Sequence, residues 1–155
     1  MMSSSRAEAF LGLPEWARRI TAQVGVSFHE SLAGTWRRES DGRDATVALE
    51  LTSTAASAQT LLDSGQMRAS GTVVVEGLAR SAEVIGDRRV HWKSGRIDLR
   101  LRFTADDGRP YLLLGGWAPA RFPGEDREPF RLRLETVDGD TAGEAVLFTS
   151  TPAER

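Results

Sequence analysis

The chain has 155 residues, of which 40% are apolar and 27% charged, a size and balance that fit one folded domain rather than a disordered or fibrous chain. Basic and acidic residues number 20 and 22, for a formal net charge of -2, so no overall electrostatic drive towards nucleic acid or an anionic membrane exists. Cysteine is absent, which removes disulfides, thiolate nucleophiles, zinc–thiolate sites and iron–sulfur clusters together.

The first residues, Met1 to Arg6, hold three serines in a row and nothing to bury, so residues 1–13 are expected to form a mobile amino-terminal segment ahead of one β-rich domain over 14–150. No apolar run has the length of a signal peptide or a membrane span, and the expected location is cytoplasmic. From Pro14 the pattern is helical. Proline suits the first turn, Glu15 complements the amino end, and Trp16, Ile20 and Val24 recur every four residues, giving a short amphipathic helix over Pro14 to Val24.

Gly25 stops that helix, and Val26, Phe28, Glu30 and Leu32 then alternate along a first strand. Asp41-Gly42 marks a turn, and Val47, Leu49 and Leu51 alternate along the return strand. The alanine-rich stretch from Thr54 to Gly65 reads as a helical turn closed by glycine. Strand signals then recur at short intervals: Gly71 to Glu76, Ala82 to Ile85, Arg89 to Lys93 and Arg96 to Thr104, with turns expected at Gly77, Gly86-Asp87 and Ser94-Gly95.

Arg96 to Phe103 alternates strictly, with leucine, isoleucine and phenylalanine on one face and three arginines and Asp98 on the other. Asp106-Asp107-Gly108 turns the chain into Tyr111 to Trp117, and Phe130 to Val137 and Ala145 to Thr149 complete the set. Eight to ten short strands with tight connections predict an all-β, mainly antiparallel fold: a barrel or a sandwich, lipocalin-like in general shape, with a short amino-terminal helix. No crossover helix separates strands after Met67, which excludes Rossmann and TIM architectures.

Phosphate loops, dinucleotide fingerprints, nucleophile elbows and EF-hand loops are all absent, so no nucleotide cofactor is expected. Gly115-Gly116 reads as a bulge or bend in a strand. No metal is expected either, because His29 and His91, the two histidines, lack carboxylates at ligand spacing. Ser27 and Ser31 flank His29 without forming a local dyad, since adjacent strand residues point to opposite faces. Arginines at 96, 100, 102, 131 and 133 would form a basic stripe only if their two strands were neighbours; interleaved carboxylates make a solvated sheet face the plainer reading.

Two stretches, Phe28-His29-Glu30-Ser31-Leu32-Ala33-Gly34 and Asp107-Gly108-Arg109-Pro110-Tyr111-Leu112-Leu113-Leu114-Gly115-Gly116-Trp117, together with Gly71-Thr72-Val73-Val74-Val75-Glu76-Gly77, resemble the β-rich accessory module of bacterial cholesterol-oxidase-like (GMC-type) flavoproteins. The resemblance covers about Val26 to Val137. Leu32 stands where that family usually has methionine, and no flavin-binding domain accompanies the module, so oxidase activity does not carry over.

Two functions follow as expectations. One is a non-catalytic module that holds a hydrophobic small molecule, lipid- or steroid-like, or docks onto an oxidoreductase partner. Its lining would come from Val47, Leu49, Leu51, Leu99, Leu101, Leu112, Leu114 and Trp117. The other is a cofactor-free isomerase, cyclase or hydratase acting on a lipid-like substrate. Its acid–base candidates are Glu30, His29, His91 and Tyr111, which must then converge within hydrogen-bond reach. Glu30 shares a strand face with Phe28 and Leu32, so an inward face requires its carboxylate to be hydrogen-bonded, paired or protonated: an arginine from a neighbouring strand is the expected structural partner, and a raised pKa in a pocket, serving as acid or base, is the functional alternative.

Overall fold

A computed structural model describes residues 25–118 and 129–149. The expected helix over Pro14 to Val24 and the segment 1–13 lie outside these residues. Eight strands are present: β1 (Val26–Arg38), β2 (Asp44–Ala55), β3 (Gln66–Val75), β4 (Ala79–His91), β5 (Arg96–Thr104), β6 (Pro110–Trp117), β7 (Phe130–Thr136) and β8 (Thr141–Thr149). One helix, α1 (Ala58–Ser64), joins β2 to β3. Every strand pairs antiparallel with its sequence neighbours, and β8 returns to β1, so the sheet is a closed barrel without an edge.

Following paired residues around the barrel from Phe28 through Ser53, Ala69, Gly86, Leu101, Leu113, Leu134 and Gly143 leads back to β1 at Arg38, ten residues further along. A stagger of that size around eight strands tilts them about 40° from the barrel axis and leaves an interior that side chains fill, or that holds one small ligand. The alternation read from Arg96 to Phe103 is the alternation observed: Ile97, Leu99, Leu101 and Phe103 are buried, and Arg96, Arg100 and Arg102 are exposed. Leu49, Leu51 and Leu147 are 0% exposed, so no opening large enough for a water touches them.

The two ends of the barrel differ. At the closed end, four short hairpins join β1–β2, β3–β4, β5–β6 and β7–β8, and Trp36 lies buried there with its indole N–H donating to the Glu76 carbonyl at 3.3 Å. The Glu76 carboxylate accepts from both the backbone N–H and the hydroxyl of Thr46, at 3.0 and 3.1 Å. At the open end lie the start of β1, the end of β8, α1, the β4–β5 connection, the end of β6 and the start of β7. Helix α1 begins where the Ser57 hydroxyl accepts the Thr60 N–H and ends at Gly65, whose left-handed backbone returns its N–H to Leu61. The Trp92 indole donates to the same Leu61 carbonyl at 3.1 Å and so ties α1 to the end of β4.

Two expectations are corrected. Ala82 to Ile85 and Arg89 to Lys93 are not separate strands: β4 runs unbroken through Gly86-Asp87 to His91, with continuous pairing to β5 from Ile85 onward. The glycine serves close approach rather than reversal, since a Cβ there would lie 1.8 Å from the Arg100 carbonyl oxygen. Of the two readings of the glycine pair in β6, the bulge is excluded, because the register on both sides stays unbroken and no residue is looped out. A Cβ on Gly115 or Gly116 would meet the Arg131 or Ile97 carbonyl at 2.0 Å, so β6 is squeezed from both flanks.

Leu99→Asp places a carboxylate among buried leucines and is expected to unfold the domain, because the cost of several kcal/mol is a large part of the about 5–15 kcal/mol that stabilises a typical domain. Arg100→Ala, one residue on, is expected to leave the melting temperature within a few degrees; thermal melts giving the reverse order would place the register one residue off. Thr46 hydrogen bonds, first from its backbone and then from its hydroxyl, hold the Glu76 carboxyl below its ordinary value of 4.5. A lowered folded value makes this contribution fully present above pH 4.5 and lost as the pH falls through the folded value. The stability difference between the wild type and Glu76→Gln is therefore expected to shrink on acidification below pH 4.5, as chemical denaturation at stepped pH would measure.

Candidate functional site at the open end of the barrel

Even-numbered residues of β1 point inward, and this places Phe28, Glu30 and Leu32 in the interior near the open end. Glu30 meets Arg88 of β4, and the two form an ion pair across the barrel with side chains only 15% and 6% exposed. The arginine partner expected for Glu30 thus comes not from an adjoining strand but from three strands away. The intervening strands make room for it. At this level of the staggered sheet β2 presents Ser53 and β3 presents Ala69, two of the smallest inward side chains.

Two aromatic rings lie close to the guanidinium. The Arg88 Cζ lies 5.1 Å from the centre of the Phe28 ring and 5.9 Å from that of Phe130, both within cation–π range. Trp117 packs on Phe130 with ring centres 6.5 Å apart. Ser53 and Arg88 are the buried polar or charged residues among those described, and both belong to this constellation. The Ser53 hydroxyl is fully buried and has no hydrogen-bond partner among the described residues.

The four acid–base candidates do not converge. Glu30 is inside at the open end. Tyr111 is inside at the opposite end, stacked on Phe103 with centres 5.8 Å apart. His29 and His91 are on the outer wall. His91 pairs with Asp98 at 2.7 Å. His29 contacts Glu50 through Nε2 at 2.9 Å and Thr52 through Nδ1 at 3.2 Å, while the Ser31 hydroxyl donates to the same Glu50 oxygen at 2.6 Å. That hydroxyl, with His29 assisting, holds the Glu50 carboxyl below its ordinary range. The cluster is a surface network, with the His29 and Glu50 side chains 60% and 51% exposed.

Of the expected lining, Val47, Leu49, Leu51, Leu99 and Leu101 point inward, and Trp117 does so at the open end. Leu112 and Leu114 do not: they lie half-buried on the outer face, while Tyr111 and Leu113 are buried. Four consecutive apolar residues gave β6 no alternation to read, and pairing of Leu113 with Leu101 and Tyr111 with Phe103 settles which set faces in. Leu114 lies between Arg100 and Arg133, and Leu112 beside Arg102, where arginine stems cover apolar surface. Strands β5 and β7 are thus separated by β6, and no single basic stripe forms.

Sequence reasoning missed Arg88, Ser53 and Phe130. The first two carried the signal that exposed Glu30, a polar residue in an apolar series of period two: Val84, Gly86, Arg88, Val90 on β4 and Leu49, Leu51, Ser53, Ala55 on β2. The expected turn at Gly86-Asp87 hid the first. No group of three or more His, Asp or Glu among the described residues is placed to hold a metal ion, and no described helix is long and apolar enough to cross a membrane.

Removing one partner from a buried pair leaves the other charge stranded, so Glu30→Leu or Arg88→Met alone is expected to lower stability by about 3 kcal/mol. The double variant Glu30→Leu/Arg88→Met should recover most of that loss, because an apolar pair of similar volume carries no desolvation cost. A denaturant melt in which the losses simply add would show that the two side chains are not coupled.

No protein-family model, no curated protein and no solved structure matches this chain.

Proposed function

We propose that the chain is a non-catalytic barrel module that binds one hydrophobic small molecule at the open end. The observation that carries this reading is the placement of the buried ion pair: among the described residues the interior is apolar from the middle of the barrel to the closed end, and its ionised groups sit at the open end beside aromatic rings. Ligand sites commonly combine apolar walls with a few convergent polar groups. The fully buried leucines below the pair form a floor, so the ligand lies on Phe28, Trp117 and Phe130 above them and does not run the length of the barrel.

The segment Phe28 to Gly34, on which the resemblance to flavoprotein accessory modules rests, supplies Phe28 and Glu30 to this end. A lipid- or steroid-like ligand suits the aromatic walls. The enzymatic alternative has less support, because catalysis by general acid and base needs two titratable groups within reach of one substrate atom, and Glu30, Tyr111, His29 and His91 occupy four separate places.

Titration of the purified protein with the neutral dye Nile red, followed by fluorescence, tests the reading. Saturable binding at one site per chain is expected. Trp117→Ala should weaken it by on the order of tenfold, the effect of losing one large aromatic contact, whereas Tyr111→Phe at the closed end should leave it unchanged. Absence of saturable binding would remove the ligand-binding role.

A further inference from the structure

The outer wall carries a second surface, separate from the open end. We infer that the wall formed by β5, β6 and β7 docks an amphipathic helix of a partner protein whose apolar stripe is flanked on both sides by aspartate or glutamate.

The strand register lays this wall out. Leu112, Leu114 and Gly116 of β6 run down its centre, with both leucines half-buried on the outer face. On one flank β5 places Arg102 beside Leu112 and Arg100 beside Leu114; on the other β7 places Arg133 beside Leu114 and Arg131 beside Gly116. All four arginines are exposed. Strands β5 and β7 are two strand spacings apart, about 10 Å, which is close to the width of one α-helix. A helix laid along β6 therefore sets its apolar stripe on the leucines and its two edges over the arginines.

The charges call for acidic edges. Arg100, Arg102 and Arg131 have no ion-pair partner among the described residues. The carboxylates that end the two rows are already engaged. Asp98, beside Gly116, meets His91 at 2.7 Å and Arg96 at 3.5 Å, and Glu135, beside Leu112, meets Arg133 at 3.2 Å. The strip thus presents local positive charge on a chain whose net charge is -2. Guanidinium groups match carboxylates in geometry as well as in sign, and the leucines between them supply apolar area.

The narrowness of the strip selects the occupant. At the level of Leu114 the register reads Asp87, Arg100, Leu114, Arg133, Glu144 from β4 to β8: acidic outside, basic within, apolar at the centre. An extended anionic surface such as a membrane would meet Asp87 and Glu144 along with the arginines. A second copy of the wall, turned over about the line of β6 or across it, would set arginine against arginine at this level, and like charges facing each other oppose association. A helix with acids confined to its two edges meets the arginines alone.

Fluorescence anisotropy with a labelled synthetic helix of about three heptads, leucine at a and d, glutamate at e and g and alanine or glutamine elsewhere, reads the docking. Saturable binding that weakens as salt is added is expected. A peptide of the same composition with its glutamates moved to b and f, away from the leucine stripe, should bind at least about tenfold more weakly, because its carboxylates no longer reach the arginines. The double variant Arg100→Ala/Arg131→Ala should weaken the first peptide by about the same factor, and Leu114→Ser should weaken it as well. Arg43→Ala, in the β1–β2 hairpin, should leave binding unchanged. Thermal melts check that each variant is folded, and the two peptides on the wild type decide the question should Leu114→Ser not fold. No saturable binding, equal binding of the two peptides, or a loss with Arg43→Ala as large as that with the arginine pair would overturn the inference. So would binding to vesicles of phosphatidylcholine and phosphatidylserine that the arginine pair abolishes, which would assign the wall to a membrane, or a dimer in sedimentation that Leu114→Ser abolishes, which would assign it to a second copy. Nile red binding at the open end bears on neither result.

Discussion

Pairing of β8 with β1 is the constraint on which the remaining structure depends, because closing eight strands with a ten-residue stagger decides the level at which every inward side chain meets the others. Along one strand, alternation says only that a residue is inside or outside. Closure sets which inside residues share a level, and so it brings Glu30 of β1 to Arg88 of β4 with Ser53 and Ala69 between them. Bending tightly enough to close also demands backbone approaches that a Cβ would block, as at Gly86, Gly115 and Gly116.

The interior then divides into two parts with different physics. From the middle downward it is packed with branched aliphatic side chains and the stacked Phe103–Tyr111 pair, and its stability comes from burial alone. At the open end the same barrel carries an ion pair, an unmatched hydroxyl and three aromatic rings. A buried ion pair contributes little net stability compared with hydrocarbon of the same volume, so its presence costs the fold something that a leucine and a methionine would not. Such a cost concentrated at one end of a barrel is the physical basis for the proposal that this end binds a ligand.

The outer wall works by a separate logic. Its carboxylates are engaged by hydroxyls, imidazoles and arginines at ordinary hydrogen-bond distances, as in Ser31–Glu50–His29 and His91–Asp98. These contacts remain solvated, so each is worth little individually. A row of exposed apolar side chains also crosses four strands at one register, Val74, Ala48, Ala33 and Phe148, with two alanines keeping it shallow.

Much of the fold was legible in the sequence because hydrophobic alternation is a local property. The strict pattern from Arg96 to Phe103 gave β5 its register, and Glu30 between Phe28 and Leu32 announced a buried carboxylate in need of a partner. Strands without alternation were not legible: Tyr111 to Leu114 is apolar throughout, and only the neighbouring strands decided that Leu112 and Leu114 face out. Gly86 was ambiguous for a similar reason, since a glycine that turns a chain and one that lets another backbone approach look alike until the neighbour is known. The identity of Glu30's partner lay further out of reach. Glu30 and Arg88 are 58 residues apart on strands that do not touch, and no local pattern relates them; only closure of the barrel, with its particular stagger, sets the two charges at one level of the same interior.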